Sequence, residues 1–442
     1  MRTAARGATL VLLGALLAQA PLTAQAYQPR EPEFRTGAAG PTTPTPEPPA
    51  STSSSGQPAA RSWSEVVKQV SETSPGDVQL RSADTSAQAA SMLRCFKLDA
   101  ENYCLGLGFV QEVPTGPQRH ALMAESSLRA ADEVGAEQDI STGDLTPAAF
   151  VAQRAALPKT QRVTAELDEM EAAWNGREKA RELRQLAEAE TPPPNPQTPQ
   201  TEQTPESATA QPTAPATPTN EATTAPATTP TTTPTVTPTR TAPTGGTPTA
   251  VPTTPVAPVA APASAYLMKG FQTSQEKGYW CGPATFQSID WADDNQKDTQ
   301  ASWAKDLGST TSGTAISAMV KQTNLKTAWP KSAGTYIVQN VSHWNAQTFF
   351  TVHQKHLGVY KAPVIEHVQL LKRYFPYLAF NHSGHYQVGR GYDKAQGTIA
   401  IFEVFNERRF NSRGNVTDGP KNIPASALFN ATLANSFQNI GL

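Results

Sequence analysis

The sequence GYWCGPATFQ, from Gly278 to Gln287, places a lone cysteine, Cys281, between an aromatic pair and a Gly-Pro step. Such a cysteine has four ordinary roles: a small buried side chain, half of a disulfide, a metal ligand or a nucleophile. Pro283 suits the first turn of a helix, and Phe286 and Ile289 follow at helical spacing. The pattern predicts a helix that begins near Cys281, with its positively polarised end at the sulfur.

The position of Cys281 favours a nucleophile over a core side chain. A cysteine nucleophile acts as the thiolate, so its site must lower the pKa of the thiol. The free N–H groups and the dipole of a helix N-terminus have this effect. Gly282 also leaves room for a substrate backbone to approach. We therefore predict that Cys281 is a nucleophile whose pKa is lowered by the helix.

Acyl transfer by a cysteine also needs a general base and donors for the oxyanion. Gln275 lies in the loop ahead of the predicted helix, where its amide is placed to donate beside the Cys281 backbone N–H. The segment AFNHSGHYQVGRGYD contains two candidate bases, His382 in a polar loop and His385 at the start of an alternating, strand-like pattern. The strand position favours His385 as the base.

A further polar group has to orient the imidazole of the base. After the turn YDKAQG, the alternating segment TIAIFEVFNE predicts the return strand of a hairpin. Glu403 and Asn406 both lie within reach of His385 across this hairpin. Spacing favours Glu403, and Asn406 stays open as the alternative.

These segments together resemble the C39-like branch of the papain-like cysteine peptidases. The resemblance is carried by Gln275, by YWCGPA and GHYQVGRGYD, and by a polar residue on the next strand. The segment from Asp298 to Val320, DTQASWAKDLGSTTSGTAISAMV, is similar to the family's region after the cysteine helix. The likeness covers about residues 270–407. It implies that Cys281 is the nucleophile, His385 the base and Gln275 the oxyanion donor.

One position departs from the family pattern. Glu403-Val404 stands where the family has an Asp-Pro pair whose Asp orients the histidine. Asn406 would be a different solution, since papain itself uses Asn in that role. This departure is the main support for a non-catalytic alternative.

The resemblance implies an α+β fold in which the Cys281 helix packs on an antiparallel sheet that carries His385. It implies a cysteine hydrolase that cleaves peptide or amide bonds through a thiolate–imidazolium pair, without a cofactor. No metal is expected, because one cysteine and scattered histidines lack the close ligand pairs of structural zinc. Two alternatives are a cell-wall-directed acyltransferase or amidase with the same residues, and a non-catalytic binding module on a papain-like shell.

Composition divides the rest of the chain. Only 38% of the 442 residues are hydrophobic, and 39 are proline, so part of the chain cannot form a core. We predict the following segments: a signal peptide (1–26), a disordered Pro/Thr/Ser segment (27–61), a small α-helical domain of unknown role (62–190), a disordered Thr/Pro/Ala-rich linker (191–264) and the peptidase domain (265–442).

The first residues predict secretion. A basic start is followed by the apolar run ATLVLLGALLAQA (Ala8–Ala20), which is too short to span a bilayer, and then by the small-x-small site Ala24-Gln25-Ala26. An extracellular location favours a disulfide between Cys95 and Cys104.

The expected binding partner of the protein is a peptide or cell-wall peptide. A net charge of −2 gives no reason to expect nucleic-acid binding, and no integral membrane span is expected.

Overall fold

The structure is a computed structural model that describes residues 62–76, 90, 92–123, 141–189 and 259–442. The chain divides into two units at residue 59, and all described residues belong to the second unit, Ala59–Leu442. Three predicted segments lie outside the described residues: the signal peptide, the disordered segment 27–61, and the linker up to residue 258.

The described residues form α-helices of varied length and mostly short strands. The helices are α1 (Trp63–Thr73), α2 (Pro147–Ala155), α3 (Lys159–Ala189), α4 (Cys281–Asp294), α5 (Gln300–Asp306), α6 (Ile316–Lys326), α7 (Pro330–Ala333), α8 (Ala346–His353, continued by a π-helical turn, Gln354–Val359), α9 (Glu407–Phe410) and α10 (Ala425–Ala434). The strands are β1 (Cys95–Leu98), β2 (Glu101–Cys104), β3 (Gly108–Val110), β4 (Ser264–Tyr266), β5 (Val338–Asn340), β6 (Val364–Gln369), β7 (Gly384–Asp393), β8 (Thr398–Glu403), β9 (Gly419–Pro424) and β10 (Asn439–Gly441).

These strands join in one sheet with the order β1-β2-β3-β5-β10-β6-β7-β8-β9, and β4 pairs with the end of β7. Neighbouring strands are antiparallel except for β3 and β5, which pair in parallel through Phe109 and Gln339. The structure is therefore a mixed α/β fold with a mostly antiparallel sheet. This arrangement fits the α+β class that the resemblance implies.

The region before residue 190 differs from the prediction of a small α-helical domain. It contains β1, β2 and β3 as well as helices, and β3 extends the sheet that carries the C-terminal strands. Strands of three or four residues are too short to show a clear period of two, and the β3–β5 pairing joins segments that are distant in the chain. The expectation of an all-helical module that stands apart from the C-terminal domain is wrong for the described residues.

The predicted disulfide is present. Cys95 and Cys104 are bonded, and they lie directly opposite each other in the β1–β2 hairpin. Cys281 is the free cysteine. The bridge therefore joins two neighbouring strands and leaves the C-terminal thiol unpaired.

Helix α3 holds the N-terminal region against the C-terminal core. The helix runs unbroken through Gly176, although glycine lowers helix propensity. A Cβ at this position would collide with Cγ2 of Ile337, so the glycine permits the close approach. Met170 and Leu183 of the same helix belong to a buried cluster that includes Phe349. The two halves of the described chain thus share one core.

We expect Lys179→Met to stabilise the protein at neutral pH. The Lys179 ammonium lies near Tyr336 and donates to the carbonyl of Thr335 at 3.3 Å, and the residue is half-buried. Burial lowers the pKa of Lys179 to about 7, so the unfolded chain binds one more proton than the folded chain between pH 7 and the ordinary lysine value.

The free energy of unfolding of the wild-type chain therefore rises with pH between pH 7 and the ordinary lysine pKa, by up to about 1.4 kcal/mol per pH unit. The advantage of Lys179→Met in the free energy of unfolding should thus be largest near pH 7 and shrink towards pH 10. Urea denaturation at several pH values measures it. A difference between the two proteins that stays constant from pH 7 to pH 10 would contradict the assignment.

The helix α4 packs on the antiparallel strands that follow it in the sheet. Its residues Ala284, Phe286 and Ile289 are fully buried in a cluster that also contains Tyr386 of β7 and Phe402 of β8. The β7–β8 pair forms the hairpin predicted from the alternating segments. This packing brings the start of α4 beside the start of β7. Among the described residues, no helix combines the length and apolar character needed to cross a membrane.

Candidate active site

Helix α4 begins at Cys281, as the Gly-Pro pattern predicts. Its N-cap residue, Trp280, makes no side-chain capping bond, so the first N–H groups of the helix are available to other acceptors. The backbone N–H groups of Gly282 and Tyr386 donate to the Cys281 sulfur. Because Tyr386 follows His385 in β7, the strand that carries the predicted base contacts the predicted nucleophile.

His385 and Glu403 form a buried pair on β7 and β8. The imidazole Nε2 lies 2.7 Å from Oε1 of Glu403, and both side chains are fully buried. Glu403 also accepts from the Phe405 N–H at 2.8 Å, the Tyr377 hydroxyl at 2.8 Å and Nε2 of Gln387 at 2.7 Å. The carboxylate is thus held in place by donors on every side.

These contacts define the charge and the tautomer of the pair. Burial alone would raise the pKa of Glu403, but His385 and the hydrogen bonds from Phe405 and Tyr377 outweigh it, so the pKa lies below its ordinary value. An ionised carboxylate at Nε2 selects the tautomer that carries its proton there. Nδ1 of His385 has no hydrogen-bond partner among the described residues, so it is left as the basic nitrogen.

The other candidate for the orienting role lies elsewhere. Asn406 is the N-cap of α9, and its Nδ2 donates to Oδ1 of Asp418 at 2.9 Å. It follows the end of β8, where the chain turns away from the hairpin. The structure brings Glu403 to His385, and it does not bring Asn406 there.

His382, the second candidate base, has its own carboxylate. Its Nε2 lies 2.7 Å from Oε1 of Glu407, which also accepts from the backbone N–H groups of Phe380 and, through Oε2, of Ala379. These bonds tie the loop before β7 to α9. We interpret the His382–Glu407 pair as a support of the loop.

The carbonyl oxygen of Thr142 contacts both predicted oxyanion donors, the Cys281 N–H and the Gln275 amide. The Cys281 backbone N–H donates to the carbonyl oxygen of Thr142 at 3.2 Å, and Nε2 of Gln275 lies 3.4 Å from the same oxygen. The Gln275 amide also donates to the carbonyls of Lys277 and Gly278, at 3.0 and 2.6 Å. The site therefore binds a peptide carbonyl at the place where an oxyanion hole is expected.

The segment Ser141–Leu145 crosses the site as an added strand. The Thr314 N–H donates to the carbonyl of Gly143 at 2.8 Å, and the Leu145 N–H donates to the carbonyl of Thr314 at 3.0 Å. Asp144 and Thr314 form a parallel bridge. Thr142 and Asp144 are both buried. We call Ser141–Leu145 the crossing segment.

The prediction that Cys281 has a lowered pKa is wrong for this arrangement. The side chain is 0% exposed, and its pKa lies well above the ordinary cysteine value. Burial is the main cause and the charge of Asp144 adds to it, while the N–H groups of Tyr386 and Gly282 act in the opposite direction. A helix N-terminus stabilises a thiolate, but here the loss of water outweighs it.

Sequence reasoning missed several residues of the site. Gln387 lies two residues after His385 on the same strand, and side chains two apart in a strand face the same side, so the strand period could have predicted that Gln387 lies beside His385. Tyr377 lies in the irregular segment before β7, and the crossing segment comes from a distant part of the chain, so no local pattern indicates either of them. Among the described residues, no group of three His, Cys, Asp or Glu side chains could hold a metal ion.

Comparison with known proteins agrees with the C-terminal geometry. Residues 271–417 match the family model described as the Peptidase_C39 like family, which confirms the resemblance predicted from the motifs. No curated protein and no solved structure matches the chain. The matched region includes Gln275, Cys281, His385 and both candidate orienting residues. The family match indicates a papain-like peptidase. More narrowly, residues 271–417 are similar to the C39-like peptidases.

Proposed function

We propose that the protein is a papain-like cysteine hydrolase that cleaves peptide bonds, with Cys281 as the nucleophile and His385 as the general base. The observation that carries the proposal is the state of the His385 ring. Its Nε2 is held by Glu403, and its Nδ1 is unpartnered on the strand whose next N–H donates to the Cys281 sulfur. A cysteine–histidine pair needs a base that a third group orients in this way, with a free nitrogen carried by the strand that contacts the thiol.

In the proposed mechanism, Nδ1 of His385 takes the thiol proton, and the Cys281 thiolate attacks the substrate carbonyl. The Cys281 N–H and the Gln275 amide stabilise the oxyanion. His385 then gives its proton to the leaving amine, and a thioester forms. Water, activated by His385, releases the acid and regenerates the thiol. Glu403 keeps the ring in place and stabilises its charged form.

The proposal extends to location and substrate. The N-terminal sequence pattern supports export, and the Cys95–Cys104 disulfide is compatible with an oxidising compartment. A peptide substrate follows from the family match. We propose a secreted enzyme that acts on extracellular or cell-wall peptides and needs no cofactor.

The buried thiol favours a second candidate, a non-catalytic binding module. A cysteine that is fully buried with a raised pKa does not react with molecules in solution as it stands. The crossing segment contributes to this state, however, because its Thr142 carbonyl accepts from the Cys281 N–H and its Asp144 charge raises the pKa of the thiol. Acyl transfer to an amine would use the same residues, with an amine in place of water in the last step.

The test compares the wild-type chain with Gly143→Val, each with and without Cys281→Ala. A Cβ at Gly143 would collide with the backbone carbonyl of Tyr279, so the substitution displaces the crossing segment. Each protein is incubated with a peptide library and with cross-linked peptidoglycan, and products are identified by mass spectrometry. We expect the Gly143→Val chain to produce new termini that disappear with Cys281→Ala.

The products separate the candidates. New carboxyl termini indicate hydrolysis, and adducts with an added amine such as glycinamide indicate acyl transfer. If the Gly143→Val chain neither cuts nor transfers, although its thiol reacts with iodoacetamide, the enzyme proposal fails and the binding module is supported.

A further inference from the structure

We propose that the Thr142–Gly143 peptide bond is a substrate of the chain's own Cys281, so that the protein cuts itself there, and that its preferred substrates have Gly-Asp after the cleaved bond. The inference deepens the proposed function and rests on it. It names a bond within this chain and the class of sequence that the site accepts.

The first observation is the position of one carbonyl. The Thr142 oxygen accepts from the Cys281 N–H and lies within reach of the Gln275 amide, at 3.2 and 3.4 Å. In acyl transfer by a cysteine these two donors hold the oxygen of the carbonyl under attack. The first donor belongs to the nucleophile's own residue, so the Thr142 carbonyl occupies the position that the proposed mechanism assigns to the carbonyl under attack.

The second observation is that the chain is anchored on both sides of the bond. Before it, the Thr142 N–H donates to Oγ of Ser383 at 3.0 Å, and the Thr142 hydroxyl donates to the Gly384 carbonyl at 2.6 Å. After it, Gly143 and Leu145 bond to the backbone of Thr314. A peptide bond that is held on both sides beside a nucleophile reacts faster, because the entropic cost of bringing the groups together has already been met by binding.

The third observation concerns the residue after the bond. Gly143 has φ of +117°, which side chains rarely adopt, and a Cβ there would collide with the Tyr279 carbonyl. The site therefore accepts only glycine at this position in the observed path.

The fourth observation is a pocket for the next side chain. Oδ2 of Asp144 lies 3.0 Å from Nε2 of His367 and 3.0 Å from Nδ2 of Asn435, and all three side chains are buried. A Cβ at Gly384 would collide with the Asp144 carboxylate, so the glycine makes room for it. The pocket thus presents donors to a carboxylate.

The far side of the pocket makes this preference stronger. Nδ2 of Asn439 donates to the carbonyls of Gly106 and Leu107, at 3.2 and 3.1 Å, which turns its Oδ1 towards Nδ1 of His367 at 2.8 Å. His367 thus has an acceptor beside each ring nitrogen, the Asn439 oxygen at Nδ1 and the Asp144 carboxylate at Nε2. An amide in place of the Asp144 carboxylate would lose a charged acceptor and would bring an NH₂ group into the pocket.

The reaction balances with water alone. The bond from Sγ of Cys281 to the Thr142 carbonyl carbon forms as the bond to the Gly143 nitrogen breaks. His385 carries the thiol proton to that nitrogen, which leaves as the new amino terminus. Water then attacks the thioester, and the products are the Thr142 carboxylate and the restored thiol.

Both pieces would stay in the fold after the cut. The piece that ends at Thr142 is held by β3, which pairs with β5, and the piece that begins at Gly143 is held by α3 against Ile337. The cut therefore frees the crossing segment without dismantling the sheet.

The test is intact-mass spectrometry of the full chain under denaturing conditions, over time and at several protein concentrations. We expect the wild-type chain to split into a fragment that ends at Thr142 and one that begins at Gly143, at a rate independent of concentration. Cys281→Ala and Gly143→Val should stay whole. Gly116→Val is the matched control, because a Cβ at Gly116 meets nothing within 4 Å, and it should be cut like the wild type.

The pocket has its own measurement. The Gly143→Val chain is given a peptide with the sequence of residues 137–147, and the same peptide with Asn at the Asp144 position. We expect cleavage between Thr and Gly, with kcat/KM lower for the Asn peptide by about 10-fold or more, since a charged hydrogen bond is lost. Equal kcat/KM values for the two peptides would overturn the substrate assignment.

Failure of self-cleavage and failure of the proposed function give different results. If the Gly143→Val chain cuts library peptides but the wild-type chain stays whole, or is cut at another bond, self-cleavage is wrong and the enzyme proposal stands. If no peptide and no chain is cut in a Cys281-dependent way, the proposed function itself is wrong. Circular dichroism of each variant excludes unfolding as the cause.

Discussion

Replacing Glu403 by glutamine is expected to lower kcat for peptide hydrolysis by about 10²- to 10⁴-fold. Glutamine keeps the shape of the side chain but removes the charge that stabilises the imidazolium of His385 in the transition state. It also presents an NH₂ group to a site where every neighbour of Glu403 is a donor. The rate is measured with the Gly143→Val chain as background, so that the crossing segment does not hide the site.

The same substitution should change the response to acid. The pKa of Glu403 lies below its ordinary value in the folded chain, so its contribution to stability is present above the unfolded carboxyl pKa and is lost as the pH falls through the folded one. Glu403→Gln should therefore unfold in less urea than the parent at pH 7, with a difference that narrows in strong acid.

Asn406→Ala is the control for both measurements, because Asn406 contacts Asp418 and not His385. We expect its kcat to stay within a few-fold of the parent. A large loss with Asn406→Ala, together with normal activity of Glu403→Gln, would reverse the assignment of the orienting residue.

The second large effect is on the reactivity of the thiol. We expect Gly143→Val to raise the rate of Cys281 alkylation by iodoacetamide at pH 7 by about 100-fold or more, because exposure of a buried group through local opening costs several kcal/mol. Removal of the crossing segment restores water to the sulfur and takes away the Asp144 charge. Both changes lower the pKa of Cys281 from its raised value.

His385→Ala in the Gly143→Val background should remove most of this gain at pH 6, since the thiolate then lacks its imidazolium partner. The uncut form of Gly116→Val should react as slowly as the uncut wild-type chain, and a chain with Cys281→Ala gives the background of labelling at other groups. Rapid labelling of an intact, uncut wild-type chain would show that the crossing segment does not cover the thiol.

Sequence patterns predicted those features that depend on a single helix or hairpin. The Gly-Pro step after Cys281 predicted where α4 begins, and alternation predicted the β7–β8 hairpin with His385 on the first strand. The choice between Glu403 and Asn406 was left open, because both lie near the end of one strand. Only the turn of the chain after Glu403 separates them, since it directs Asn406 to Asp418.

The crossing segment shows where local reasoning stops. The sequence of Ser141–Leu145 does not indicate a partner more than a hundred residues away. The contacts of this segment with Thr314 and Cys281 exist only once the sheet has formed. The pKa of Cys281 failed as a prediction for the same reason. A helix N-terminus is a local feature, whereas burial depends on every segment that packs around the sulfur.

By itself the sequence determined the start of the cysteine helix, the hairpin that carries His385, the family that residues 271–417 resemble, and the pairing of Cys95 with Cys104. Tertiary structure decided which carboxylate reaches His385, how the N-terminal strands extend the sheet, and what covers the thiol. The physical reason is range: periodicity and capping act over a few residues, but desolvation and hydrogen-bond partners are set by segments that are distant in the chain.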